Sequence, residues 1–430
     1  MERFSKTNQL KMNNSDFIPK NLFIGILHRK KELEWLNRNS KSGIQIAANN
    51  FQWNFIDGIE RNNNGPVDVF STLSMGSYPL ASKKLLVFSK KHKRSQGAIL
   101  KYIGYINFYF IKGFVRFFLL TIELIKWIRK NPNGNIFIYS LYTPYLFSLR
   151  LIRLFKKTND IKICLIVPDL YGKYSIQPPL YSLKGLQHRL DSFFKSKLFK
   201  KLDLYVLLTK QMAKPLDLND NKYVIVEGLI DKTKINVLNQ THHSNSKRII
   251  LYAGSLLKVF GIEMLLESFT RINNKNFELW ICGPINESQS VLEFTQKDKR
   301  IKYLGFLERE ELTKIRIKCH LLINPRPNKG EYVKYSFPSK TIEYMASGKP
   351  VLMFKLDGLP EDYYKYIYFI DKYNQESIAE AIVNVLSKSD NELLDFGRRA
   401  SDFIIQNKNS QEQVRKILLK LNTKSNASYI

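Results

Sequence analysis

Short runs of apolar and β-branched residues alternate with helix-length segments along the whole chain. In the first half these runs predict strands at Leu22–Leu27, Ile44–Ala48, Val67–Ser71, Leu85–Phe88, Ile136–Tyr139, Ile161–Val167, Leu204–Leu207 and Tyr223–Val226. Helical periodicity covers about residues 103–130, 144–157 and 181–200. Strands that are apolar throughout, separated by helices, are typical of parallel sheets covered on both faces.

The second half repeats this alternation more regularly. The predicted strands are Arg248–Tyr252, Phe277–Cys282, Ile301–Leu304, Leu321–Ile323, Val351–Phe354 and Ile367–Ile370. Helices are predicted at about residues 261–272, 308–318, 339–347, 375–387 and 391–406. The pattern therefore indicates an α/β protein with a Rossmann-like domain in each half.

A chain of 430 residues exceeds one ordinary hydrophobic core, so two domains are expected. The polar, aperiodic segment Asp231 to Arg248 separates the two patterns and is the predicted linker. We place the domains at residues 1–235 and 236–408. Residues 409–430 contain an amphipathic segment, predicted to be a helix that packs back toward the first domain. Two such domains leave a cleft between the carboxyl ends of their strands, where these folds bind ligands.

The positive charge is concentrated in the first half. The net charge is +30, and residues 1–240 carry 39 Lys and Arg against 16 Asp and Glu, whereas residues 241–430 carry 29 against 22. An anionic partner is expected: nucleic acid, anionic phospholipid or a phosphorylated substrate. Aromatic residues are interleaved with the charges in Tyr105–Leu120 and Asp191–Leu202. This mixture favours a membrane surface, although core helices with solvated basic faces would look alike.

Other features bear on compartment and cofactors. Cys164, Cys282 and Cys319 are far apart and form no metal-spaced set with the histidines, so they are predicted to be buried thiols in a reducing compartment. The N-terminal 20 residues lack the apolar core of a secretory signal. The apolar stretch Tyr102 to Ile128 is interrupted by charges and is not expected to span a bilayer. These features predict a cytoplasmic protein without a metal.

The segment Ile323–Val351 reads as strand, basic loop, helix and strand. Ser336 is predicted to cap the helix, with Pro338 in its first turn. Backbone amides of Phe337 to Lys340, including Ser339, would then face the cleft, and the cations near them are Arg326, Lys334 and Lys340. Amides at a helix start and fixed cations together suit a diphosphate.

Two glycine turns precede this segment. Gly254 and Ser255 follow the strand that ends at Tyr252, and Gly283 follows the strand LWIC. A glycine at such a turn lets the backbone approach a ligand closely. These residues, with Lys258, are therefore candidate contacts to the same ligand.

The ordered motifs YAGSLLKVFGIEMLLESF, LWICGP, YLGFLEREEL, INPRP and SFPSKTIEYMASGKPVL resemble the C-terminal domain of family-4 glycosyltransferases of the GT-B fold. The resemblance covers about residues 248–390. The first half resembles the family loosely, through AANNFQWNFIDGIE, IKICLIVPDL and LDLYVLLTKQM, segments similar to transferases of exopolysaccharide and capsule clusters. The resemblance to this family implies a nucleotide-sugar donor (UDP- or GDP-linked) in the second domain, and a retaining, metal-independent transfer.

The resemblance also assigns roles to single residues. Glu343 matches the second Glu of the family's E-x7-E motif, which binds ribose, but Tyr335 stands at the first. The family's Arg and Lys on the diphosphate correspond here to Ser255 and Phe260. We expect Arg326, Lys334 and Lys340 to supply the missing positive charge, with Arg326 and Lys340 acting in catalysis. These departures leave open a second interpretation, a non-catalytic GT-B partner or sugar-binding subunit.

Candidate acceptor residues lie in the first half. Asp169 ends the strand ICLIVP and is predicted to orient the acceptor hydroxyl as a catalytic residue. Asn49, Asn50 and Gln52 follow the predicted strand IQIAA, and Glu227 follows YVIV near the linker. The resemblance implies a lipid-linked glycan acceptor, held by the basic first domain at the inner face of the cell membrane, in cell-surface polysaccharide assembly. Nucleic acid is not expected as a partner, because no recognition motif accompanies the charge.

Overall fold

Two large sheets, one in each half, organise the computed structural model. The model describes residues 19–41, 45–63, 65–109, 111–155, 161–170, 191, 193, 197–198, 202–234, 247–285 and 289–426. The predicted helix at 181–200, the stretch Asp191–Leu202 and the linker Asp231 to Arg248 fall largely outside these residues.

The first half contains ten strands and four helices among its described residues. The strands are β1 Asn21–Gly25, β2 Val67–Ser71, β3 Leu86–Val87, β4 Lys90–Lys93, β5 Ile99–Tyr102, β6 Tyr105–Ile106, β7 Asn135–Tyr139, β8 Lys162–Val167, β9 Leu204–Leu207 and β10 Tyr223–Ile225. The helices are α1 Lys30–Asn39, α2 Ile46–Asn63, α3 Lys112–Lys130 and α4 Thr143–Phe155. Eight strands form one sheet in the order β10-β9-β8-β7-β1-β2-β5-β4, and β3 pairs with β6.

All pairings in the large first sheet are parallel except β4 with β5. Alternate residues of β1 enter different cores: Leu22 and Ile24 pack in one cluster, and Phe23 packs in the other. Because both faces are covered, the strands are apolar throughout. This burial explains why the apolar runs predict most of these strands closely.

Two predictions for the first half are wrong. Residues 46–48 of the predicted strand Ile44–Ala48 begin helix α2. The residues that bury its apolar face, Phe55 and Ile59, recur with helical spacing. The predicted helix at 103–130 begins only at Lys112, because β6 and a turn precede it.

The second half is a doubly wound sheet. Its strands are β11 Arg248–Ala253, β12 Phe277–Cys282, β13 Ile301–Tyr303, β14 Leu321–Asn324, β15 Val351–Phe354 and β16 Tyr368–Ile370. Its helices are α5 Ile262–Thr270, α6 Gln289–Lys297, α7 Arg309–Lys318, α8 Ser339–Ala346, α9 Gln375–Leu386 and α10 Asp390–Asn407. The strand order β13-β12-β11-β14-β15-β16 is parallel throughout and is the order of a Rossmann domain. It places a crevice between the carboxyl ends of β11 and β14, where the strand order reverses.

A last helix, α11 (Ser410–Asn426), returns to the first half and packs against α2. The contact is close: a Cβ on Gly58 would lie 2.4 Å from the carbonyl oxygen of Ser410. Gly58 therefore lets the two helices approach each other.

The carboxyl edges of the two sheets face each other. Thr209, just after β9, donates from its hydroxyl to the carbonyl of Lys334 at 2.8 Å. Gly228, just after β10, lies against the side chain of Ile342 on α8. The loop ends that bind ligands in such folds therefore meet across the two halves.

Among the helices that the structure describes, none combines the length and the apolarity needed to cross a bilayer.

Candidate functional site

The crevice of the second sheet begins with two glycine turns packed against each other. The amide of Gly254 donates to the carbonyl of Cys282 at 2.9 Å. A Cβ on Gly283 would lie 1.9 Å from the carbonyl oxygen of Gly254, which excludes any side chain there. The two predicted glycines therefore bring the ends of β11 and β12 together.

The amine of Lys340 lies directly over Gly254. A Cβ on Gly254 would be 1.5 Å from Lys340 Nζ, so only glycine leaves room for this amine. The amine also stands 5.4 Å from the ring centroid of Tyr252 and 5.9 Å from that of Phe260. The pKa of Lys340 is lowered to about 8, chiefly by burial; the charge of Glu343 opposes this lowering, and the nearby charge of Arg326 adds to it. The amine is therefore a cation that gains from an added anion.

Arg326 follows β14 and is held between Pro325 and Pro327, with only 7% of its surface exposed. Its Nη1 donates to the Ser336 hydroxyl at 3.4 Å, and its guanidinium lies 5.4 Å from the ring centroid of Tyr332. Its Nε has no hydrogen-bond partner, and burial lowers the pKa of the group.

No carboxylate forms an ion pair with Arg326 or Lys340 within the described part of the chain. Burying a charge without a counter-charge is costly. The pair is therefore prepared for a ligand that brings negative charge into the crevice between β11 and β14.

Helix α8 begins beside this pair, but not as the sequence predicts. Its N-cap is Pro338 and its first residue is Ser339, with no side chain capping it. The prediction that Ser336 caps the helix is wrong, because its hydroxyl instead accepts from Arg326. Phe337 is buried against the ring of Tyr363, 5.6 Å between centroids. The contact between Phe337 and Tyr363 thus anchors the start of α8 in the core.

Glu343 lies one turn into α8, with 57% of its side chain exposed and 3.6 Å from Arg316 Nη2. Arg316, on α7, is a residue that the sequence analysis missed. Nothing in a helical pattern marks it, because its role depends on two helices meeting. The Glu343 side chain is thus more than half exposed, and its assignment to ribose stays a prediction.

The remaining predicted donor contacts lie at the edge of the crevice. Lys258 has 83% of its side chain exposed and pairs with Glu263 at 2.7 Å, so a contact to the ligand requires that pair to open. The Ser255 hydroxyl accepts from the amide of Leu257 at 3.5 Å. Lys334 is exposed. The Tyr335 hydroxyl donates to Glu331 at 3.0 Å.

The structure contradicts two of the acceptor candidates. Gln52 is fully buried in α2 and accepts from the amide of Ile26 at 2.9 Å while donating to the carbonyl of Ala48, so it cannot reach a sugar. Glu227 is buried in an ion pair with Lys408 and accepts from Gln413 at 3.2 Å. Both carboxylate oxygens are thereby used in holding the structure together.

The other acceptor candidates are one buried residue and two exposed residues. Asn49 is buried and accepts from the amide of His28 at 2.6 Å, which makes it a support for the loop after β1. Asn50 is exposed on α2, and Asp169 is exposed just after β8. Their roles stay predictions.

The prediction that Cys164, Cys282 and Cys319 are buried thiols is confirmed, and all three are free.

Within the described residues, no three His, Cys, Asp or Glu side chains come together as metal ligands would. Arg326 and Lys340 supply positive charge in the described part of the crevice.

Residues 247–388 match a family model described as Glycosyl transferases group 1. No curated protein matches the sequence significantly. The chain is similar in structure to a sucrose-phosphate synthase from Thermosynechococcus elongatus at 13% identity, with a TM-score of 0.63 over 95% of this chain and 100% of that one. It is also similar to an α,α-trehalose 6-phosphate synthase from Burkholderia multivorans at 10% identity, with a TM-score of 0.63 over 95% and 100%.

A third similar structure is a lipopolysaccharide outer core galactosyltransferase in its apo form. The identity is 13% and the TM-score 0.61, over 94% of this chain and 99% of that one. These likenesses span both halves and confirm the predicted fold class, GT-B. The crevice between β11 and β14 lies within the residues that the family model matches.

Proposed function

We propose that this chain, a glycosyltransferase of the GT-B fold, moves a hexose-type sugar from a UDP- or GDP-linked donor to a hydroxyl of a lipid-linked glycan. The reaction would serve cell-surface polysaccharide assembly at the inner face of the cell membrane. It would proceed with retention of configuration and without a metal, as in the family that the sequence resembles.

The observation that carries the donor assignment is the pair Arg326 and Lys340. Transfer requires a nucleoside diphosphate to leave, and its negative charge grows as the bond to the sugar breaks. Two fixed cations and the uncapped start of α8 stabilise that charge more than they stabilise the bound donor. A solved structure similar in fold, titled as trehalose-6-phosphate from E. coli, is bound with UDP-2-fluoro glucose.

The acceptor assignment rests on a surface of the first half. Large apolar side chains are exposed there on the β3–β6 ribbon and along one side of α3. We call these residues the apolar face: Leu86, Phe88, Ile106, Phe108, Ile111, Phe114, Phe118 and Ile122. Leu86 and Ile106 are cross-strand partners, and the rings of Phe114 and Phe118 lie 4.7 Å apart. Exposed patches of this kind are typical of interaction surfaces.

Exposed lysines adjoin the apolar face along the chain. Lys83 and Lys84 precede β3, and Lys90 and Lys91 lie on β4. Aromatic rings beside lysines suit an anionic bilayer, in which the rings enter the headgroup layer and the amines meet phosphates. This surface supports peripheral binding of the first half to the membrane.

The donor assignment is tested by thermal unfolding against a panel of UDP- and GDP-sugars and the free diphosphates. A bound ligand raises the melting temperature according to its concentration and affinity. We expect one nucleotide series to raise it, and the matching nucleotide-sugar to support transfer to a lipid-linked glycan, unaffected by EDTA. No shift with any nucleotide would refute the donor site, and binding without transfer would favour the non-catalytic interpretation.

Membrane binding is tested by the double variant Phe114→Ser/Phe118→Ser in sedimentation with vesicles of phosphatidylglycerol and phosphatidylcholine. Burial of each ring contributes about 1.5–3 kcal/mol, so binding should fall by about tenfold or more. Leu292→Ser, which changes an exposed apolar residue in the second half, is the control and should bind normally. Equal binding by the double variant would exclude the apolar face as the membrane surface.

A further inference from the structure

A second pair of cations lies in the first half, on the inner side of α3, and has no carboxylate partner in the part of the chain that the structure describes. Arg116 has only 5% of its surface exposed. Its Nη1 donates to the Tyr142 hydroxyl at 3.1 Å, its Nη2 donates to the carbonyl of Leu73 at 3.4 Å, and its guanidinium lies 3.7 Å from the ring centroid of Tyr105. Its Nε has no partner. These contacts are all neutral, and no carboxylate among the described residues pairs with the positive charge of Arg116.

Lys112 lies one turn earlier on the same helix. Its Nζ donates to the Ser77 hydroxyl at 2.8 Å. Lys112 and Arg116 are four residues apart on α3 and therefore share one face of the helix. Burial lowers the pKa of Lys112, and the charge of Arg116 adds to this lowering. Neither forms an ion pair with a carboxylate among the described residues. A buried and a half-buried cation on adjacent turns repel each other, and an anion between them removes the penalty.

The position of this pair matches that of Arg326 and Lys340 in the other half. Leu73 follows β2 and Tyr142 follows β7, the two strands that flank β1 in the first sheet. The hydroxyl of Tyr145 donates to the carbonyl of Gly25 at the end of β1, at 3.1 Å. The strand order reverses at β1, so Arg116 stands at the crevice of the first sheet.

We propose that Arg116 and Lys112 bind a phosphate or diphosphate group carried by the acceptor. This inference rests on the proposed function, because it assigns the acceptor to the first half. Arg offers several donors in a planar fork, which suits phosphate oxygens, and the hydroxyls of Ser77 and Tyr142 add further contacts.

The outer side of the same helix indicates the source of the phosphate. Phe114 and Phe118 belong to the apolar face, whereas Arg116, between them in sequence, is buried, and Lys112, two residues before Phe114, donates to Ser77. A helix with its side chains is about 10 Å across. A lipid diphosphate anchored in the bilayer at Phe114 would therefore reach the cations within one helix diameter. This geometry favours a lipid-linked diphosphate over a soluble sugar phosphate.

The test is the number of pyrophosphate sites, measured by calorimetric titration of the full chain with inorganic pyrophosphate. We expect two sites in the wild type, one of them lost in Arg116→Met and in Lys112→Met, and the other lost in Lys340→Met. Arg116→Lys should keep the first site with weaker affinity. Lys126→Met, an exposed lysine farther along α3, is the control and should keep both sites.

The outcomes separate the two claims. A single site that disappears in Lys340→Met would overturn the inference and leave the donor assignment intact. A single site that disappears in Arg116→Met and is unaffected by Lys340→Met would count against the donor assignment alone. Because Arg116→Met removes a buried side chain, each variant is first shown to unfold cooperatively. If Arg116→Met does not, the half-buried Lys112→Met decides the result.

A second measurement identifies the source of the phosphate. Transfer is assayed with a polyprenyl-diphosphate-linked sugar in detergent and with a soluble hexose phosphate. We expect Lys112→Met and Arg116→Lys to raise the KM for the lipid-linked acceptor by about tenfold or more while leaving the donor KM unchanged. Turnover only with the soluble acceptor would overturn the lipid assignment, and an unchanged acceptor KM in both variants would overturn the site.

Discussion

Replacement of either Arg326 or Lys340 by methionine is expected to lower kcat/KM for sugar transfer by about 10²–10³-fold. Both side chains lie at the crevice between β11 and β14 and form no ion pair with a carboxylate of the described residues, so their charge is available to the leaving diphosphate. Methionine keeps much of the volume and removes the charge. The folded structure should therefore persist, because the variant removes a buried cation instead of creating one.

The measurement is steady-state transfer together with the melting temperature of each variant. Lys329→Met, an exposed lysine of the same loop, is the matched control and should retain wild-type kinetics. Arg326→Lys keeps a charge but loses the planar fork, and we expect an intermediate rate. Normal kinetics in both Arg326→Met and Lys340→Met would refute the donor site.

The pH dependence gives a second readout of the same prediction. The pKa of Lys340 is lowered to about 8 by burial, so the amine is protonated at neutral pH and loses its proton as the pH rises through about 8. Donor affinity of the wild type should therefore decline between about pH 7 and pH 9. In Lys340→Met this decline should be absent, since the titrating amine is gone.

The sequence predicts the second half more accurately than the first, and the reason is physical. Phe277–Cys282 and Val351–Phe354 are strands with the predicted bounds, because each is a short apolar run buried on both faces. In the first half, Ile46 and Ala47 look strand-like in isolation, yet they open a helix whose buried side chains lie further along. A run of five residues is too short to distinguish the periodicity of a strand from that of a helix.

The site was predictable where neighbours in sequence are neighbours in space. Arg326 and Lys340 belong to one strand–loop–helix segment, and the sequence alone brings them to the same crevice. Arg316 and Arg116 were missed because each depends on contacts between separate elements. Glu227 was misassigned for the same reason: its partner Lys408 is far along the chain, and no local pattern reveals it.

The second large effect is expected at this distant pair. Lys408 is the C-cap of α10, and its amine contacts both Glu227 of the first half and, at 2.8 Å, Asp362 of the second. The side chains of Lys408 and Glu227 are only 6% and 3% exposed. The backbone crosses between the halves here, since the amide of Ser410 donates to the carbonyl of Ile230 at 2.9 Å.

Lys408→Met should lower the free energy of unfolding by about 3–5 kcal/mol, because it leaves the Glu227 carboxylate buried without a counter-charge. Chemical and thermal unfolding measure the loss of free energy of unfolding. If Lys408→Met remains folded, its two halves should also close less tightly around the donor. In the double variant Lys408→Met/Glu227→Gln no charge is stranded, so much of the stability should return. The control is Arg415→Met, which breaks a surface pair within α11 and should cost about 1 kcal/mol or less. Equal, small losses in Lys408→Met and Arg415→Met would show that the buried pair does not hold the crossing in place.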